Sequence, residues 1–194
     1  MVTTFSQDPI INVIHNSIRK GISVTLENEC ESSAVILMLS AIDAMAYLAM
    51  PEGQQDVRPE DFINWADQYI RFPGKEQVTG ADPYGARCAM LHSFGAQSRM
   101  SRNGQCRVVI WMDKAVPPII FRPDVQPGYV MVSIAALRDA LFEGMDRFLI
   151  NLYKDPNSKE AKLANSRFQS FVHKMPTEHV MSSMATPSPN LHRE

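Results

Sequence analysis

Between Asp82 and Asp113 the chain holds no acidic residue, yet the same stretch carries Arg87, Arg99, Arg102 and Arg107. In a protein of 194 residues and net charge −2 this is a concentrated local excess of positive charge. Guanidinium groups grip phosphate oxygens through paired, charge-assisted hydrogen bonds. The run SRMSRNGQCR over 98–107 adds hydroxyl and amide donors suited to a sugar–phosphate backbone. The alternative for the same charges is a solvated basic loop, or one docked on Glu60, Asp61 and Asp67.

His92 follows Arg87 by five positions in the segment YGARCAMLHSF. An imidazole, with an ordinary pKa of about 6.5, can take or give a proton near neutrality, and a guanidinium can hold a phosphate and stabilise its growing charge. Around one α-helix two residues five apart lie about 140° from each other, so a single helix makes a poor Arg–His pair. The competing reading of His92 is a helix-end residue that caps carbonyls near Gly95 and packs on Cys88. Asp43 raises a related question, because it is the one charge in the apolar segment 34–50, AVILMLSAIDAMAYLAM. A carboxylate in that setting needs a donor. Arg87 is the expected one, with Asp43 orienting its guanidinium.

The elements that must position these residues are marked by clear punctuation. Asp8-Pro9 opens a helix with Ile11, Ile14, Ile18 and Ile22 on one stripe, ending before Glu29. The apolar segment 34–50 forms the second helix, stopped by Pro51 and Gly53. At about 1.5 Å per residue its 17 residues reach roughly 25 Å, short for a bilayer, and Asp43 sits near the middle, so a core helix is expected. A third helix runs from Pro59 to Arg71 with Phe62, Trp65, Ala66, Tyr69 and Ile70 inward, and a fourth from Asp82 to Gly95. Then the period changes: 107–113, 119–121 and 129–132 read as short strands of a small antiparallel sheet, with Asn103-Gly104 as a hairpin turn. A long helix resumes at Ser133 and ends at Asp155-Pro156, and a weaker one covers 158–173. The expectation is one mainly α-helical domain over 1–174, a bundle of four or five helices with a β insertion at about 105–132, followed by a flexible tail over 175–194.

The RxxxxH pair, the long apolar central helix before it, and the segments SAIDAMAYL, NWADQYI and YGARCAMLHSF resemble the HEPN superfamily (higher eukaryote and prokaryote nucleotide-binding), over roughly residues 8–153. The resemblance extends to a group of uncharacterised bacterial proteins with this arrangement. It implies a HEPN-like helical bundle acting as a homodimer. Two copies of Arg87 and His92 would then surround one cleft that cleaves RNA to 2′,3′-cyclic phosphate ends without a metal or cofactor. Asp43 would orient, Arg99, Arg102 and Arg107 would guide the RNA, and the setting would be toxin–antitoxin or phage defence, with an antitoxin or other protein partner. Cys88 follows Arg87 where the family's nucleases commonly carry a polar residue. That favours the alternative, a catalytically inert dimeric module that binds RNA, a nucleotide or a protein. Ala96 stands where HEPN toxins silenced by covalent modification have a tyrosine, so that regulation does not carry over.

The remaining residues exclude other chemistries. Cys30, Cys88 and Cys106 form no CxxC pair, which argues against a disulfide framework and a cysteine zinc site. Arg19 and Lys20 come after the apolar stretch 10–18 rather than before it, unlike a secretory signal, so a cytoplasmic protein without membrane association is expected. His173 and His179 lack companions for zinc. No P-loop, GxGxxG or GxSxG occurs. Trp65 and Trp111 could stack bases but read as packing residues, and the twelve methionines as core filler.

Overall fold

The computed structural model describes residues 8–171 and Thr177. Apart from Thr177, the expected tail over 175–194 lies outside the described residues, as do His173 and His179. Asp8 caps the first helix as its type dictates, with Oδ1 accepting from the Ile10 and Ile11 amides at 2.9 and 3.0 Å. The N-terminal arm is continuous: α1 (Pro9–Val13) passes into a π-helical stretch (Ile14–Arg19) and then α2 (Lys20–Glu27). Glu29, at φ 58°, breaks it. The central α3 (Glu31–Ala49) starts slightly before the apolar segment, and α4 (Pro59–Tyr69) and α5 (Ala81–Ser93) follow. After the single-turn α6 (Arg99–Arg102) come three strands, then α7 (Ile134–Leu152) and α8 (Lys159–Phe168).

Helix α3 touches α2, α4, α5, α7 and α8, and its Val35, Met38, Leu39, Ile42 and Met45 are buried at the centre of the bundle. By length and composition it could cross a membrane; half of its most apolar window is buried inside the chain. Around it Trp65, Tyr69 and Phe148 form an aromatic cluster with ring centroids 5.1 to 6.1 Å apart. Gly144 lets α7 close on the end of α4, since a Cβ there would meet the Tyr69 carbonyl oxygen at 2.8 Å. Arg147 Nη2 donates to that same carbonyl at 2.5 Å.

Two expectations for the middle of the chain are corrected. The sheet is mixed rather than antiparallel: β1 (Val108–Met112) lies parallel to β3 (Tyr129–Ser133), and β2 (Ile119–Ile120) lies antiparallel on β3's other side, in the order β1-β3-β2. The physical reason is the connection, because the chain from Asp113 to Gly128 is long enough for the crossover that parallel pairing needs. Asn103-Gly104 makes no hairpin. Its turn closes α6, with Gly104 at φ 69° and its amide donating to the Ser101 carbonyl at 3.1 Å. Two helix-end expectations also move: α4 stops at Tyr69 rather than Arg71, and Phe94, left-handed at φ 51°, terminates α5 ahead of Gly95.

Candidate functional site

Helix α5 is locked at its start by two carboxylates. Asp67 on α4 accepts the Gly80 amide at 2.6 Å, and the close approach requires glycine, because a Cβ there would lie 2.2 Å from the Ile63 carbonyl oxygen. Asp82, 1 % exposed, accepts from the Thr79 amide at 2.9 Å, the Thr79 hydroxyl at 3.0 Å, the Arg107 amide at 2.9 Å and Arg107 Nη2 at 2.5 Å. These bonds fix the first turn of α5 against β1.

Two turns along, Arg87 projects toward α3. Its Nε donates to Asp43 Oδ2 at 2.9 Å, and both side chains are 26 % exposed. The lone charge of the apolar helix therefore meets the arginine expected of it. Burial pulls the Arg87 pKa down, but the hydrogen bond and charge of Asp43 outweigh it and the net displacement is upward, so the guanidinium stays charged at every working pH. A cavity of about 290 Å³ opens beside the pair, lined by Asp43, Val57, Arg58, Tyr84 and Arg87. The Tyr84 ring stands edge-on to Phe62 at 5.3 Å. Burial, then Cys88, pushes its phenol up against a smaller opposing pull from Arg87, so Tyr84 is a hydroxyl donor at neutrality.

His92 stands exposed in the last turn of α5, on a different side of the helix from Arg87, and makes no hydrogen bond to another described residue. The carbonyls of this helix end are taken by the backbone and Ser93 instead: Phe94 N donates to Met90 O at 3.0 Å, and Ser93 Oγ to Ala89 O at 2.8 Å. One chain thus brings Arg87 to Asp43 and leaves His92 apart.

The basic stretch divides in two. Arg99 and Arg102 are exposed on α6, where Arg102 Nη1 donates to the Gln97 carbonyl at 3.4 Å. Neither forms an ion pair with a described residue, and Glu60, Asp61 and Asp67 hold neither of them. Arg107 does not stand with them. Its guanidinium is paired to Asp82, lies over the Phe121 ring at 4.6 Å and is only 17 % exposed. The guanidinium expected to guide RNA is thus already engaged, because the packing of β1 on α5 returns it to the carboxylate that opens the acid-free stretch.

Sequence reasoning missed Arg58 and Tyr84. Arg58 precedes Pro59 and was legible only as a helix boundary; nothing in the one-dimensional pattern places it at the same cavity as Arg87. Among the described residues no group of three His, Cys, Asp or Glu side chains is arranged to hold a metal ion. The cysteines are free thiols. Trp65 is 2 % exposed within the aromatic cluster, whereas Trp111 is half-buried, packs against the core on one side and lines a cavity of about 560 Å³ with Asp113 and Lys114. Another cavity of about 460 Å³ lies where the end of α3 meets α4, α7 and α8. Three of its rim charges are engaged, Lys159 pairing with Glu52 at 2.5 Å and Arg167 donating to the carbonyls of Leu48, Met50 and Pro51.

Compared with protein-family models, with curated proteins and with solved structures, the chain gives no match.

Proposed function

We propose that this protein is a HEPN-type, metal-independent endoribonuclease that works as a homodimer. The observation that carries the reading is the Asp43–Arg87 pair at the edge of an open cavity. An arginine gripped through Nε keeps its terminal nitrogens for a second acceptor, and a phosphate oxygen pair fits that edge. A second copy of α5 supplies what one chain lacks, a His92 within reach of the phosphate held by Arg87. One imidazole takes the ribose 2′-hydroxyl proton as the 2′-oxygen attacks phosphorus. The bond from phosphorus to the 5′-oxygen breaks, and the imidazolium of the other copy protonates the departing oxygen. The products are a 2′,3′-cyclic phosphate and a free 5′-hydroxyl. Arg87 stabilises the charge that grows on the phosphoryl oxygens.

The test incubates wild type, Arg87→Ala and His92→Ala with mixed RNA in excess EDTA and reads the product ends. Cyclic phosphate from wild type alone supports the proposal. Intact RNA with all three, or equal cleavage by all three, removes Arg87 and His92 from catalysis. A second reading, an inert HEPN-like module that binds RNA, a nucleotide or a protein through the same helix, is favoured by Cys88 beside Arg87 and by a cavity lining that does not include His92 of the same chain.

A further inference from the structure

The cavity beside Asp43 holds more positive charge than the catalytic proposal uses. Arg58, exposed at the start of α4, lines the wall with Arg87, yet its side chain forms no ion pair or hydrogen bond with a described residue. The nearby Asp61 carboxylate is occupied by the Arg58 amide, at 2.8 Å, and by Gln54. Two guanidiniums therefore face one carboxylate, Asp43, which Arg87 already neutralises. The lining adds one phenol donor, Tyr84, held by Phe62, and one apolar wall, Val57. Such a set of donors around a net positive charge fits a phosphate with a small apolar or sugar substituent. At about 290 Å³ the space matches the low end of small-molecule sites, roughly 300 Å³, enough for a phosphate and its sugar.

We infer that Arg58, Tyr84 and Arg87 form a pocket for the phosphate of a ribonucleotide, with Arg58 the phosphate contact that the RxxxxH motif does not contain. The phosphate half of this inference rests on the cavity alone, and the ribose half on the proposed function. The same chemistry comes from a free mononucleotide or from an RNA backbone. Arg58 reaches the pocket from the loop before α4, so it can be removed without touching the bundle core.

Calorimetric titration of wild type, Arg58→Met, Arg58→Lys and a surface control, Arg122→Met, uses four probes in EDTA: AMP, inorganic phosphate, a phosphoserine peptide, and an oligoribonucleotide blocked by 2′-O-methylation. Arg58→Met is expected to weaken AMP or the oligonucleotide about tenfold or more, as loss of a charge-assisted bidentate contact does, with Lys recovering part of it and Arg122→Met none of it. Binding of AMP locates the ligand as a free nucleotide, and binding of the oligonucleotide alone locates it in RNA. Wild-type affinity in Arg58→Met, or no binding of any phosphate probe, overturns the pocket. A phosphoserine peptide bound as tightly as AMP overturns the ribonucleotide assignment. The two proposals fail separately: Arg58-dependent binding without RNA cleavage sinks the nuclease and leaves the phosphate pocket standing, with AMP against inorganic phosphate then deciding the ribose half, and RNA cleavage with Arg58→Met binding as wild type sinks only the pocket.

Discussion

At the residue scale the decisive contact is the 2.9 Å bond from Arg87 to Asp43. It is half-buried, so its energetic value lies between that of an exposed pair and that of a fully desolvated one. Asp43→Asn is expected to cost about 1 kcal/mol in urea unfolding while lowering RNA cleavage at least tenfold, because the guanidinium stays charged but loses its orientation. Equal activity in Asp43→Asn would show that Asp43 serves only the fold. Cys106 gives a second test at this scale. Burial, then the charge of Asp82, pushes its thiol up, and Cys30 is exposed. The folded state therefore holds the Cys106 proton more tightly than the unfolded chain does. Stability is expected to fall as pH rises above the unfolded thiol range of about 8.5, and Cys106→Ala should flatten that fall in urea melts. At about pH 8.5 an alkylating reagent should modify Cys30 well before Cys106.

At the element scale the site depends on how closely α5 sits against α4 and β1. Asp82 accepts a guanidinium, a hydroxyl and two amides while 1 % exposed, so Asp82→Asn is expected to destabilise by about 3–5 kcal/mol, the cost of leaving a shielded cation unpaired. Two glycines separate packing from propensity. Gly80→Ala drives a Cβ to 2.2 Å from the Ile63 carbonyl oxygen and is expected to cost about 1–3 kcal/mol or more. Gly21→Ala, in a helix with nothing within 4 Å of the new Cβ, is expected to stabilise by about 0.5–1 kcal/mol. Thermal melts that rank the two alike would remove close approach as the reason for Gly80. The long helices were readable because Pro, Asp and Ser mark their starts and the apolar spacing continues for several turns. The short strands were readable as strands, but the direction of their pairing was not, since pairing depends on where the crossover carries the chain.

At the scale of the whole molecule the proposed chemistry needs two copies, since one chain leaves His92 exposed and apart from Arg87. Sedimentation is expected to show a dimer, and RNA cleavage per chain should fall on dilution below its dissociation constant. A monomer with undiminished specific activity would defeat the two-copy site. The exposed Arg99 and Arg102 predict a salt-dependent affinity. Replacing either with Ala should reduce the slope of log K against log salt by about 0.7 for a single strand, whereas Arg107→Ala should act on stability first. Unchanged slopes in Arg99→Ala and Arg102→Ala would place the RNA elsewhere.

Taken by itself, the amino-acid sequence determined the helical class, the extent of the main helices and the need of Asp43 for a cationic partner. Each of these follows from local rules: periodicity, capping, and the cost of an unpaired carboxylate among apolar residues. Tertiary structure alone decided which arginines are free. Four of them share one acid-free stretch, but folding returns Arg107 to Asp82, turns Arg87 to Asp43, leaves Arg99 and Arg102 in solvent, and brings Arg58 from a distant loop to the same cavity. Charge pairing acts through space over a few ångströms, and spacing along the chain does not measure that distance.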